Sequence, residues 1–121
     1  MKQILIVEDD RDIRETVAEL LTDHGYSVIV AANGQDAMDY LKKGVLPHLI
    51  LLDLMMPIKD GFEFRVEQQS NPALSQIPVI IMSADGHTNL KKEKTKAVDY
   101  IKKPVDMAVM LDKIRTHSNN S

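Results

Sequence analysis

Five short apolar runs recur along this chain of 121 residues, and amphipathic segments separate them. The runs occupy residues 3–7, 27–31, 49–53, 78–82 and 98–101 and consist mostly of Ile, Val and Leu. Four of them lack the alternation of polar and apolar side chains that a strand with one face in water shows, which is typical of parallel strands covered on both faces. We therefore predict a parallel sheet of five strands.

The segments between the runs carry apolar residues at helical spacing. In the first of them, over residues 12–23, four apolar residues share one face, and Gly25 is placed to end the helix. Weaker or similar patterns predict further helices over residues 34–43, 62–69, 86–96 and 106–117. Strands that alternate with helices, joined by right-handed crossovers, predict an α/β fold: a doubly wound five-stranded parallel sheet with helices on both faces, in the flavodoxin-like order.

Length and composition restrict the classes of protein to which the chain could belong. A chain of this length fits one globular domain over residues 1–121, with a polar tail at 118–121. The net charge of −3 and the lack of a basic arm argue against direct binding of nucleic acid or a membrane surface. The sequence has no cysteine, no signal peptide and no apolar run long enough to span a bilayer, so we expect a cytoplasmic protein.

Charged and hydroxyl side chains follow four of the five predicted strands. They are Glu8, Asp9 and Asp10 after the first, Asp53 at the end of the third, Ser83 after the fourth and Lys103 after the fifth. In an open α/β sheet these positions share the carboxyl edge, where ligands bind. Two carboxylates about 4 Å apart repel by roughly 4 kcal/mol at an effective dielectric constant near 20, so a cluster of acids is expected to bind a cation. Oxygen ligands favour Mg²⁺, which usually accompanies phosphate chemistry.

Four sequence motifs lie at these predicted strand ends. They are ILIVEDD at residues 4–10, LILLDLMMP at 49–57 with Asp60 and Gly61 after it, PVIIMSA at 78–84 and DYIKKP at 99–104. In this order the motifs resemble those of the receiver domain of response regulators, of the single-domain chemotaxis-regulator type. The resemblance covers essentially the whole chain.

The resemblance implies a phosphoacceptor site with a bound Mg²⁺ ion. Asp53 would accept a phosphoryl group from a phosphohistidine on a sensor histidine kinase or a histidine phosphotransfer protein. Asp10 and Asp53 would bind Mg²⁺ directly, together with the backbone carbonyl of Met55. Asp9 would act largely through a metal-bound water.

The resemblance also implies how the signal leaves the site. Lys103 would neutralise charge on the transferring group, and Ser83 would form a hydrogen bond to the new phosphoryl group. Tyr100 would then turn inward and change a surface formed by the predicted fourth helix, the fifth strand and the last helix. This surface would bind a downstream protein or an output domain in another chain. Phosphorylation could also cause two copies of the chain to form a homodimer.

Three other classes of protein are compatible with parts of the pattern. A haloacid-dehalogenase-type phosphatase needs its aspartate nucleophile after the first strand and a second acid two residues later, whereas Asp53 follows the third strand and residue 55 is Met. A flavodoxin needs a phosphate-binding loop after the first strand and an aromatic residue for the flavin, and the chain has no Trp. A receiver-like interaction module that works without phosphorylation remains the alternative. In either receiver case no turnover of an external substrate is expected, although a phosphorylated receiver takes part in its own phosphorylation and autodephosphorylation.

One segment departs from the pattern of the family. Between Ser83 and Tyr100 the chain is shorter than is common, and Lys96 and Ala97 stand where a glycine-alanine pair is usual. We therefore expect a shortened or distorted helix over residues 86–96.

Overall fold

The protein forms a single parallel sheet in a computed structural model that describes residues 1–56, 58–84 and 95–118. The five strands are β1 (Gln3–Val7), β2 (Ser27–Ala31), β3 (Leu49–Asp53), β4 (Val79–Ser83) and β5 (Asp99–Lys102). Their order across the sheet is β2-β1-β3-β4-β5, and all neighbours are parallel. The predicted flavodoxin-like order is confirmed, and only β4 and β5 begin one residue later than predicted.

Four helices lie in the described residues. They are α1 (Arg11–Asp23), α2 (Gly34–Leu41), α3 (Gly61–Gln69) and α4 (Met107–Ser118). The side chains of Asp10, Asn33 and Asp60 cap the first three of these helices by accepting backbone N–H groups. Ser118, predicted to begin a polar tail, is the last residue of α4. Most of the helix predicted over residues 86–96 lies outside the described residues, as do residues 119–121.

The helices cover both faces of the sheet, as predicted. On one face, α2 and α3 pack over Leu5, Val7, Ile50 and Leu52; on the other, α1 and α4 pack over Ile4, Ile6, Leu49 and Leu51. Consecutive residues of one strand therefore face different cores, and all of these side chains are fully buried. This explains the absence of polar residues from the apolar runs.

The strand register brings the ends of β1 and β3 together. Val7 is opposite Leu52, so Glu8 and Asp53 are the next residues along the two neighbouring strands. On the other side Asp53 is opposite Met82, and Ser83 is opposite Lys102 at the ends of β4 and β5. Four predicted site segments thus meet at one edge of the sheet. Among the described residues, no helix is long and apolar enough to cross a membrane.

Candidate phosphoacceptor and metal site

Three carboxylates meet at the carboxyl edge of the sheet. Glu8, Asp9 and Asp53 each offer one oxygen atom, and these atoms all lie within 4.8 Å of one another. Glu8 is fully buried and Asp53 is 4% exposed, whereas Asp9 is open to solvent. Two of the three carboxylates are therefore buried, and the third is exposed to solvent.

Glu8 is anchored by its own backbone and by the start of α1. Its N–H donates to the carbonyl of Ala31 at 3.1 Å, and its carbonyl accepts from the guanidinium of Arg14 at 2.9 Å. Its carboxylate accepts the backbone N–H of Asp10 at 3.1 Å. The pKa of Glu8 is raised to about 7, chiefly by burial; the hydrogen bond from Lys103 opposes this rise and the neighbouring Asp53 adds to it. A cation at this edge would favour the ionised carboxylate.

Lys103 reaches both buried acids. Its Nζ lies 2.5 Å from Oε1 of Glu8 and 3.4 Å from Oδ2 of Asp53, and its backbone N–H donates to the carbonyl of Ser83 at 2.9 Å. Burial alone would lower the pKa of Lys103, but the hydrogen bond to Glu8 and the charge of Asp53 raise it. The side chain is 16% exposed, so this ammonium is held next to Asp53 with limited access to water.

Asp10 is in a different place from the other acids. Its Oδ1 accepts the backbone N–H of Ile13 at 3.1 Å, which makes Asp10 the N-cap of α1, and its side chain is exposed. Asp10 does not belong to the group of three carboxylates. The geometry therefore favours Glu8, rather than Asp10, as the second buried acid beside Asp53.

The remaining predicted residues, Met55, Ser83 and Tyr100, differ in their contacts and burial. The backbone N–H of Met55 donates to Oδ1 of Asp53 at 3.2 Å, while the Met55 side chain is 68% exposed. Ser83 is fully buried at the end of β4, next to Lys103 in space through the backbone bond described above. Tyr100 is only 8% exposed and belongs to the core on the side of α2 and α3. The Tyr100 side chain is therefore buried in this structure, and its role as a switch stays a prediction.

The donor set fits a hard divalent cation. All three side chains offer oxygen, and Lys103 supplies a single ammonium near three carboxylates, so negative charge is in excess when they are ionised. Mg²⁺ usually retains several water ligands and binds to few carboxylates. The site matches this preference, because it has three carboxylates and is open to water on the side of Asp9. Glu8, Asp9 and Asp53 are the side chains that would bind it, with the Met55 carbonyl as a predicted fourth donor.

The sequence indicated the edge, but it did not single out Glu8. All three acids after β1 were expected there, and the resemblance assigned the direct contact to Asp10. The signal that distinguishes them is the register, because Glu8 directly follows the Val7–Leu52 pair. Register is not readable from one apolar run, in which every residue is buried.

The chain is similar to known proteins over nearly its whole length. The family model "Response regulator receiver domain" matches residues 4–115. The response regulator RR06 of Streptococcus pneumoniae is 37% identical over 115 residues, which cover 93% of this chain and 51% of that protein. The transcriptional regulatory protein CpxR of Escherichia coli is 36% identical over 118 residues, covering 95% of this chain and 48% of that protein. The chain thus spans about half the length of the curated relatives it matches.

Solved structures show the same fold. The response regulator TrrA of Thermotoga maritima, determined in complex with Mg²⁺–BeF, superposes with a TM-score of 0.85 at 28% identity. The match covers 96% of this chain and 98% of that one.

Proposed function

The chain belongs to the response regulator receiver domain family of two-component signalling, and from this premise we propose that Asp53 is its phosphoacceptor. A receiver is a signalling domain and not a classical enzyme. The proposal extends to the part that the chain takes in its own phosphorylation and autodephosphorylation, for which Glu8, Asp9 and Lys103 would supply the charges.

One observation carries this proposal: the carboxylate of Asp53 lies in a group of acids and 3.4 Å from the ammonium of Lys103. The group lies at the carboxyl edge of the sheet, where α/β proteins bind ligands. A carboxylate that only capped a helix would not need two other acids and a lysine around it. Asp53 caps no helix among the described residues, since α3 is capped by Asp60.

The chemistry is a transfer between two nucleophiles. An oxygen of the Asp53 carboxylate attacks the phosphorus of a phosphohistidine, the phosphorus–nitrogen bond breaks, and the imidazole leaves with that electron pair and takes up a proton. The product on this chain is an acyl phosphate. Lys103 would neutralise a phosphoryl oxygen, and Mg²⁺, when bound, supplies further positive charge there.

Ser83 and Tyr100 would read the product. The Ser83 hydroxyl is proposed to donate to a phosphoryl oxygen, because Ser83 ends β4 at the same edge as Lys103. Since Tyr100 is already buried, the phosphoryl group would select this arrangement of the ring from a pre-existing equilibrium. The surface of β5 and α4, with the segment before β5, would then bind the next partner.

The partners follow from the same chemistry. The donor would be a sensor histidine kinase or a histidine phosphotransfer protein. Beside Lys103, a cavity of about 320 Å³ is lined mainly by apolar residues, among them Ile13 and Val105, with Asp12 and Thr16 at its side, and this surface suits the packing of such a donor. Because CpxR is a transcriptional regulatory protein of twice this length, the output would be a further domain or a separate target protein, or a phosphorylation-dependent homodimer.

The test is the intact mass of the purified chain after incubation with acetyl phosphate, with and without Mg²⁺. We expect one phosphoryl adduct that requires Mg²⁺ and is absent from Asp53→Asn. The substitution is isosteric and removes a charge from a repelling group, so the variant should remain folded. Lys102→Ala is a matched control for Lys103→Ala, because Lys102 is exposed on the same strand end and contacts no acid of the site.

The results separate the two receiver hypotheses. The site as described is supported if the adduct forms at the same rate on wild type and Lys102→Ala and more slowly on Lys103→Ala. An adduct that persists on Asp53→Asn would place the phosphoacceptor elsewhere. If wild type forms no adduct under any condition, the chain is a phosphorylation-independent interaction module.

A further inference from the structure

The loop that follows Asp53 is pressed against the first turn of α2. The N–H of Gly34 donates to the carbonyl of Ile58 at 3.1 Å, and a Cβ atom at position 34 would overlap the carbonyl oxygen of Lys59. Backbone atoms cannot move aside as the end of a flexible side chain can. Gly34 is therefore required by the close approach of this loop and not by its own conformation.

The same loop is bound to α3 by an ion pair, and α3 is bound in turn to the end of α2. The Nζ of Lys59 forms an ion pair with Oε1 of Glu67, whose Oε2 also accepts from Lys42 at 2.9 Å. Lys59 itself has a φ of 51°, in the left-handed region that non-glycine residues rarely adopt. Its side chain is 20% exposed, so the pair with Glu67 is partly shielded from water. A loop with this backbone conformation needs such contacts to keep one shape.

The two ends of the loop belong to the proposed metal site. At one end, Asp53 and Met55 are the predicted ligands. At the other, the N–H of Gly61 donates to the carbonyl of Leu54 at 3.0 Å, and its Cα lies so close that a Cβ would be 2.8 Å from the carbonyl oxygen of Asp53. A displacement of Lys59 would therefore be transmitted to the backbone that carries Asp53 and Met55.

We propose that Gly34, Lys59 and Glu67 are positioning residues for the phosphoacceptor loop and set the affinity of the site for Mg²⁺. None of them touches the acid group; they act through the backbone contacts of residues 58–61 with Gly34 and with Leu54 and Asp53. The inference rests on the proposed function, since it assumes that the site binds Mg²⁺. It adds residues on α2 and α3 that neither the motifs nor the acid group indicate.

The charges of the pair make the test specific. Glu67→Gln removes a negative charge and Lys59→Met removes a positive charge, so a purely long-range electrostatic effect would weaken Mg²⁺ binding in the first and strengthen it in the second. Loss of positioning would weaken it in both. Partners bonded directly to a metal ligand typically contribute 10- to 100-fold to affinity. Lys59 and Glu67 act one step further away, so we expect binding weaker by at most about tenfold in each variant.

The measurement is a calorimetric titration of each purified chain with MgCl₂ at constant ionic strength. Lys42→Met is the matched control, because it removes the outer partner of Glu67 and leaves the contact with Lys59. We expect Lys42→Met to bind Mg²⁺ like wild type. The double variant Lys59→Met/Glu67→Gln should bind no more weakly than either single variant, because the two residues act as one contact.

Gly34→Ala tests the backbone contact independently. We expect weaker Mg²⁺ binding there too, and Ala18→Gly in α1 controls for lost stability without contact with the loop. Equal affinity in wild type, Glu67→Gln, Lys59→Met and Gly34→Ala would overturn the inference while leaving the metal site intact. If the Mg²⁺ affinity falls in Glu67→Gln and rises in Lys59→Met, the two residues act by long-range charge and not by positioning the loop, which would also overturn the inference. Absence of Mg²⁺ binding by wild type would instead overturn the proposed function.

Discussion

Asp9 and Asp10 are adjacent in the sequence but have different contacts. Asp9 belongs to the group of carboxylates around Asp53, and Asp10 caps α1 through Ile13. An N-cap acid replaced by alanine typically costs about 1 kcal/mol of stability. We expect Asp10→Ala to lose about this much while retaining its affinity for Mg²⁺, and Asp9→Asn to weaken Mg²⁺ binding with little change in the free energy of unfolding.

Urea unfolding without metal and calorimetric titration with Mg²⁺ measure the two quantities separately. Asp10→Asn is a useful third variant, since asparagine caps helices as well as aspartate but has no charge. If Asp10→Asn weakens Mg²⁺ binding as strongly as Asp9→Asn does, Asp10 is a ligand, as the family resemblance implied.

At the scale of single residues, the sequence predicted the members of the site better than their roles. Asp53 and Ser83 end a strand and Lys103 follows one, and the parallel arrangement of the strands is enough to bring them to one edge. The choice among three consecutive acids depends on the register between β1 and β3, and the contacts of Lys59 depend on how α2 packs against α3. The register and these contacts are both set by tertiary packing, which no local pattern in a single sequence reveals.

At the scale of elements, a buried polar network joins α3 to the chain before β5. The guanidinium of Arg65 is 6% exposed and donates to the carbonyls of Thr95 at 2.9 Å and Lys96 at 3.1 Å, and to Oε1 of Gln68 at 2.7 Å. The amide nitrogen of Gln68 donates in turn to the carbonyls of Leu74 and Ile77. Burial lowers the pKa of Arg65, but arginine stays charged near neutral pH. The buried guanidinium thus satisfies two backbone carbonyls before β5, and the Gln68 amide satisfies two before β4.

We expect Arg65→Met to destabilise the fold by about 2–4 kcal/mol. The change leaves three acceptors without their donor, and each charge-assisted hydrogen bond contributes roughly 1.5–3 kcal/mol, which the relief of burying a charge partly offsets. Val66→Ala is the neighbouring control, because Val66 is 67% exposed and an exposed substitution of this kind changes stability by at most about 0.5 kcal/mol. Urea unfolding followed by circular dichroism gives both values, and equal stability of the two variants would contradict this role for Arg65.

Asp99 connects β5 to α4 by ion pairs. Burial alone would raise its pKa, but hydrogen bonds from Lys113 at 2.7 Å, from the N–H of Tyr100 at 2.8 Å and from His117 at 3.0 Å lower it from 3.8 to about 2. The folded state therefore binds the proton of this group less tightly than the unfolded state does. Its contribution to stability is complete above about pH 4 and is lost as the pH falls towards 2.

From this shift we expect Asp99→Asn to lose at most about 2 kcal/mol at pH 6, allowing for solvent screening of a side chain that is 21% exposed. The difference in unfolding free energy between wild type and variant should shrink from pH 4 downwards and should not change between pH 5 and 6. Urea titrations at these pH values test the expectation. A difference that stays constant down to pH 2.5 would show that the ion pairs do not stabilise the fold.

The order and type of the elements were largely predictable, and one departure also has a physical reason. Buried parallel strands leave a strong signal because every residue in them is apolar. The segment before β5 is harder, since Lys96 has a φ of 57°, a conformation for which glycine is the usual residue. Its carbonyl is bound by Arg65, a partner thirty-one positions away that no local pattern could reveal.

At the scale of the whole molecule, two cores share one sheet. Leu51 faces the core under α1 and α4, and Leu52 faces the core under α2 and α3. Both side chains are fully buried and adjacent on the central strand β3, so they form a matched pair for asking whether the cores unfold together. The strands are common to both layers, and loss of either layer exposes one face of all five.

We therefore expect Leu51→Ala and Leu52→Ala each to destabilise the entire domain, by about 3–5 kcal/mol, in a single cooperative transition. Far-ultraviolet circular dichroism follows the helices of both layers, and tyrosine fluorescence follows Tyr40 and Tyr100 on one side and Tyr26 on the other. The two signals should give the same urea midpoint for each variant, because both helical layers pack on the same five strands. Separate midpoints in either variant would mean that one helical layer unfolds while the other persists. The Mg²⁺ site is built from strand ends that both layers share, so it would be lost when the first layer unfolds.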